Sequence, residues 1–157
     1  MHHIYHTHAV ILHTRAVGER DMFLSLFTHE FGALSVKVTG VRTIKSKLRG
    51  ALVAGSWIRA DIVRGREIWR LTSATADTSF FILPSAARAA YARGLRLIGR
   101  LCRGEEAHEA IYDDVRIFSV YSQLVSRKTI RVLKDSLHFV FFIISDTGVN
   151  RICTSHI

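Results

Sequence analysis

The only proline of this chain, Pro84, separates two hydrophobic periods, and that change limits the folds available. Before it, short apolar runs alternate with turn residues. His8–His13, Met22–Thr28, Ala33–Thr39, Ala51–Val63 and Glu67–Ala74 read as five strands. In the third, Leu34, Val36 and Val38 alternate with Ser35, Lys37 and Thr39, so the two sets lie on opposite faces. Gly32 falls between the second and third runs, and Arg64-Gly65-Arg66 reads as a hairpin turn between the fourth and fifth. Five short strands in a small domain favour a closed barrel, which leaves no long edge exposed.

After Pro84 the period becomes helical. Ser85 can cap a helix from about Ala86 to Arg103, with Tyr91, Leu95, Ile98 and Cys102 on one face and Arg93, Arg96, Arg100 and Arg103 nearly opposite. Gly104 can end it. A second helix is predicted over Glu106–Ser126. A third runs from Thr129 to about Asp146, with Ile130, Leu133, Leu137, Phe141 and Ile144 on one stripe. The expectation is an α+β chain: a five-stranded barrel over residues 1–80, then a helical domain over residues 81–157.

Charge narrows the partner. The chain has 22 Lys and Arg against 13 Asp and Glu, a net +9, with 48% apolar residues. A chain able to bury a core and still carry that excess suits a polyanion, nucleic acid before an anionic membrane. The longest apolar run, Phe139–Ile144, is far short of the roughly 20 residues a spanning helix needs. The apolar stretch Ala9–Leu12 is too short for a secretory signal. Cys102 and Cys153 form no C-x-x-C pair, which argues against a disulfide framework or zinc ribbon and leaves a reducing cytoplasm as the default.

The excess is arranged rather than merely large. Residues 31–60 contain no Asp or Glu but carry Lys37, Arg42, Lys45, Lys47, Arg49 and Arg59. Four of these cations crowd between Gly40 and Gly50, linking the third and fourth strands. Glycines at both ends suit a mobile projecting loop. Its cations can neutralise phosphates while Thr43 and Ser46 add hydroxyl donors, giving affinity with little base specificity. A barrel binding a single strand also offers aromatic rings. Phe23 and Phe27 share a strand face and read as core rather than stacking platform; Trp57 and Trp69 fit either role.

These residues resemble the N-terminal region of the bacterial RecO family. The matching elements are Ala9-Val10-Ile11-Leu12, Gly18-Glu19-Arg20-Asp21, Leu26-Phe27-Thr28-His29-Glu30-Phe31-Gly32, and Gly40-Val41-Arg42 followed by Lys45-Ser46-Lys47-Leu48-Arg49-Gly50. Phe139–Gly148 with Cys153 resembles the family's late helix and first cysteine. The resemblance implies an OB-fold barrel followed by helices. It implies binding of single- and double-stranded DNA, strand annealing, and help in exchanging single-stranded-DNA-binding protein for recombinase. The implied partners are RecR and the acidic-apolar tail of that single-strand binder. The family's DNA contacts map here onto Arg42, Lys45, Lys47 and Arg49, with Lys37 as a further cation of the same barrel. Many members continue into a four-cysteine zinc module; Cys153 stands alone, so no metal and no cofactor are expected.

Other groupings read more plainly. The stripe of Arg93, Arg96, Arg100 and Arg103 can extend a DNA track or hold an acidic peptide. His6 and His8 share a strand face at a spacing that could chelate, yet a zinc site needs four ligands, and surface histidines are the simpler reading. Glu105, Glu106, Glu109, Asp113 and Asp114 read as a solvated surface rather than a nuclease centre. No phosphate-binding Gly-x-x-x-x-Gly-Lys-[Ser/Thr] run occurs. The sequence therefore points to a non-enzymatic, cytoplasmic, nucleoid-associated repair protein; the alternative is a basic barrel that serves RNA or the ribosome.

Overall fold

In the computed structural model, residues 3–43, 48, 50–78 and 85–124 are described. Five strands, β1 (Ile4–Val17), β2 (Asp21–Thr28), β3 (Gly32–Val38), β4 (Trp57–Arg64) and β5 (Trp69–Thr78), precede two helices, α1 (Ser85–Leu101) and α2 (Glu109–Leu124). The strands close a barrel in the order β1-β2-β3-β5-β4. This is the OB-type arrangement, followed by helices.

β1 is longer than its apolar run suggests because it serves two neighbours. Its first half, from Ile4 to Val10, pairs antiparallel with β4. Its second half, from Ala9 to Val17, pairs with β2. The register slips between Ile11 and His13, which lets the strand bend from one partner to the other. β4 is shorter than expected. Residues 51–56 turn instead, and Gly55, at φ 90°, donates its N–H to the Ile11 carbonyl at 2.7 Å. β3 meets β5 in parallel over only two positions, Val36 with Trp69 and Lys37 with Arg70.

Strand alternation sorts the side chains into two cores. Ala9, Ile11, Leu24, Leu26, Leu34, Val36, Ile58, Ala60, Ile62 and Leu71 fill the barrel. Tyr5 meets Phe31 and Trp69 edge to face at 5.4 and 5.5 Å, and Phe31 and Trp69 lie tilted against each other at 5.5 Å. The outward-facing Val10, Phe27 and Trp57 meet Tyr91, Leu95, Ile98 and Cys102 of α1 and Ile111, Tyr112 and Val115 of α2. The apolar face expected for the first helix is thus the face that seats it on the barrel.

Phe27 is fully buried beneath the helices, while Phe23 on the same strand face is only half-buried. Trp57 and Trp69 are both buried, and each satisfies its ring N–H inside the protein. Trp57 donates to the Tyr91 hydroxyl and Trp69 to Glu105, each at 2.9 Å. Neither indole offers a surface for stacking.

The chain after α1 returns to the barrel. Ala33 donates its N–H to the Gly104 carbonyl at 3.1 Å. Gly32 has φ 66°, and a Cβ there would overlap the Glu106 carbonyl. Glu105 accepts from Trp69 and pairs with Arg64 at 3.4 Å, so this member of the acidic cluster is a clasp rather than only a solvated charge. The third helix expected over Thr129–Asp146, and the late-helix resemblance with Cys153, lie outside the described residues. No described helix is long and apolar enough to cross a membrane.

Candidate nucleic-acid interface

The basic loop leaves β3 through a fastened turn. Gly40, at φ 69°, donates its N–H to the Asp21 carboxylate at 3.1 Å. The same carboxylate pairs with Lys37 at 3.1 Å. The Gly40 N–H first, then Lys37, holds the Asp21 carboxyl below its ordinary value. Arg42 donates its backbone N–H to the Arg20 carbonyl at 3.1 Å and its guanidinium to the Gly18 carbonyl at 2.7 Å. Thr43 donates its hydroxyl back to the Gly40 carbonyl at 2.8 Å.

Apolar side chains anchor the loop at both ends. Val41 and Leu52 are buried in the barrel core, and Leu48 packs against it. Leu48 also accepts the N–H groups of Ala51 and Leu52 at 3.0 and 3.2 Å. Residues 40–43 at the start of the glycine-bounded loop are thus fastened, as is Leu48, while residues 44–47 and 49 lie outside the described residues. Its beginning is held against the β1–β2 turn.

The candidate cations differ in their surroundings. Lys37 is half-buried on the outer face of β3 and already shares Asp21. Arg42 is exposed, its guanidinium bonds a neutral carbonyl, and among the described residues no carboxylate pairs with it. Lys45, Lys47 and Arg49 lie outside the described residues. Arg59, in the same acid-free stretch, pairs with Asp77 of β5 at 3.0 Å. The stretch lacks acids in sequence but not in space, because neighbouring strands supply Asp21 and Asp77.

Arg93, Arg96, Arg100 and Arg103 are all exposed, opposite the buried face of α1. Arg96 also bonds the Ala92 carbonyl one turn back, at 3.3 Å. The histidine pair of β1 divides between two acids: His6 contacts Asp61 at 2.7 Å and His8 contacts Asp77 at 3.5 Å. Among the described residues, no three or more His, Cys, Asp or Glu side chains are grouped to hold a metal ion.

Sequence reading missed one element of this surface. β1 continues past its apolar run to Val17, which places Arg15 opposite Phe23 and sets its guanidinium 5.7 Å from the ring centre. Alternation of His13, Arg15 and Val17 with Thr14 and Ala16 was the available clue, but polar residues on both faces obscured it.

A small closed barrel with helices seated on one outer face defines an OB-fold protein. The family model for the N-terminal part of recombination protein O matches residues 1–80. The chain belongs to the RecO family. It is 32% identical over 84 residues to the DNA repair protein RecO of Dehalococcoides mccartyi, an overlap covering 54% of this chain and 33% of that protein. It is 35% identical over 81 residues to the RecO of Chlorobium phaeobacteroides, covering 52% and 30% respectively. With the RecO of Pelotomaculum thermopropionicum the overlap extends to 111 residues at 29% identity, covering 69% and 43%. The chain thus aligns with less than half the length of each of these relatives.

Proposed function

We propose that this chain acts in DNA repair and recombination as a mediator that binds single- and double-stranded DNA, promotes strand annealing and helps load recombinase onto DNA coated by single-stranded-DNA-binding protein. The observation that carries this reading is the family match across residues 1–80, which include the whole cationic loop. The mechanism needs no active site. Arg42, Lys45, Lys47 and Arg49 neutralise phosphates of two strands and lower their mutual repulsion, and Lys37 adds to the same field. The helical part, residues 81–157, provides docking surface for RecR and for the acidic-apolar tail of the single-strand binder. Arg93, Arg96, Arg100 and Arg103 supply the countercharge for that tail. Such a protein works at the nucleoid in the cytoplasm.

The test is strand annealing with DNA coated by its cognate single-strand binder. Wild-type chain accelerates annealing, and changing Arg42, Lys45, Lys47 and Arg49 together to Ala abolishes both binding and acceleration with the far-UV spectrum preserved. Unchanged DNA affinity in that variant overturns the loop assignment. A strong preference for RNA over DNA of the same sequence overturns the repair reading in favour of an RNA-binding module.

A further inference from the structure

The barrel closes over a short seam. β3 and β5 pair only at Val36 with Trp69 and at Lys37 with Arg70, and beyond those positions the strands part. Each is left with an edge. That of β3 is taken up by the chain after α1, where Ala33 donates to the Gly104 carbonyl. That of β5 is not. From Leu71 to Thr78 the strand pairs with β4 on one side, and among the described residues no backbone pairs with its other side. The helices seat on Val10, Phe27 and Trp57, none of which belongs to β5. Thr72, Ser73, Thr75, Ala76 and Asp77 are all exposed.

An unpaired edge offers its N–H and C=O groups to another strand, and folds usually guard it with lysine, proline, a bulge or a covering element. Leu71–Asp77 contains no Lys, Arg or Pro. Its bulges fall at Thr72 and Asp77, the residues skipped in the register with β4, so they lie towards its ends. Between them Ser73, Ala74, Thr75 and Ala76 run in regular register with Asp61, Ala60, Arg59 and Ile58. The charges sit at the ends and are opposite. Arg70 is exposed, and among the described residues no carboxylate pairs with it. Asp77 lies on the outward face, where it meets Arg59 at 3.0 Å and His8 at 3.5 Å. A strand with a cation at one end, a carboxylate at the other and no charge between is complementary to itself run backwards.

We infer that β5 pairs edge to edge with β5 of a second copy of this chain, antiparallel and centred on Ala74. In this register Ala74 faces its counterpart, Ser73 faces the partner's Thr75, and Arg70 comes within one residue of the partner's Asp77. The twofold axis passes through the Ala74 pair, so the same contact is made twice and the assembly closes as a dimer. The hydroxyls of Ser73 and Thr75 meet across the join, a favourable cross-strand pairing. Self-complementarity of the end charges is what selects a second copy over an unrelated extended segment. The contact is short, which places the dimer among the small, transient interfaces. The inference goes beyond the DNA-binding reading and does not rest on it.

Sedimentation equilibrium of the full chain across a concentration series, without DNA, tests the pairing. The wild type is expected to pass reversibly from monomer to dimer. Ser73→Lys with Thr75→Lys sets like charges opposite each other at two places and is expected to weaken association about tenfold. Ser73→Lys with Thr75→Glu sets opposite charges across the same two places and restores association to the wild-type level or above it. Both positions are exposed, so each variant keeps the parent's far-UV spectrum. A wild-type chain that stays monomeric throughout leaves the edge to a segment of another protein and overturns the inference. Equal association of all three chains puts the contact elsewhere and overturns it too, as does an equal loss in both variants. None of these outcomes bears on the DNA-binding reading, which stands or falls by annealing.

Discussion

The Asp21 carboxylate accepts the Gly40 N–H and pairs with Lys37, and both interactions favour its ionised form. Its folded value lies below the ordinary 3.8, so its contribution is present above that value and disappears as pH falls through it towards the folded one. Asp21→Asn is therefore expected to be less stable than the parent near neutrality, with the gap closing below about pH 4, read as urea midpoints across a pH series. Tyr91 has the opposite sign. Burial pushes its hydroxyl up to about 12, against the hydrogen bonds from Ser119 and Trp57. Its folded value exceeds the unfolded one near 10, so its stabilising contribution is complete below that pH and is lost as pH rises from 10 to 12. Tyr91→Phe keeps the ring but leaves the Trp57 N–H without its acceptor. It should cost about 1–3 kcal/mol at neutral pH in urea unfolding, with a weaker alkaline decline than the parent.

At the scale of elements, the segment that follows α1 fastens helices to barrel through Gly104, Glu105 and Glu106. Gly32→Ala should cost at least about 1–3 kcal/mol from its left-handed backbone alone, and more from the overlap with Glu106. A lowered thermal midpoint would show this, and a midpoint equal to the parent's would dismiss the clasp. Most elements were legible because their periodicity was clean: β2, β3 and the apolar face of α1 follow directly from spacing. β1 and β4 were not, for related reasons. β1 carries histidines and threonines through its length and divides its pairing between two partners, so no single alternation marks its ends. Apolar residues 51–54 mimic a strand but are used to cap the barrel through Leu52. The cationic loop was visible as a charge pattern, whereas the pairing of Lys37 with Asp21 and of Arg59 with Asp77, on the strands that flank it, depends on strand neighbours distant in sequence. Gly32 showed as a turn residue, but the reason that only glycine fits lies in a backbone more than seventy positions away.

The molecule as a whole is built around one shared strand face. Val10, Phe27 and Trp57 point outward from the barrel, and the helices complete their burial. Phe27→Ala should destabilise by about 3–5 kcal/mol. Because barrel and helices share that cluster, loss of helical far-UV signal and exposure of the two indoles should coincide in one unfolding transition; separate transitions would show that the helices merely rest on the barrel. The route of the chain through the barrel has a further consequence. β1, β2 and β3 form a meander of near neighbours and β4 and β5 form a hairpin, so each piece assembles from local contacts. Joining them requires Ile4 to find Val63 across the intervening chain, and the cationic loop is the tether between the two pieces. Closing a tether costs little more as it lengthens, about 0.6 kcal/mol per doubling. Lengthening the link between the anchors at Val41 and Leu48 is therefore expected to tax the barrel's assembly little, so that the number of charges carried there can change independently of the fold.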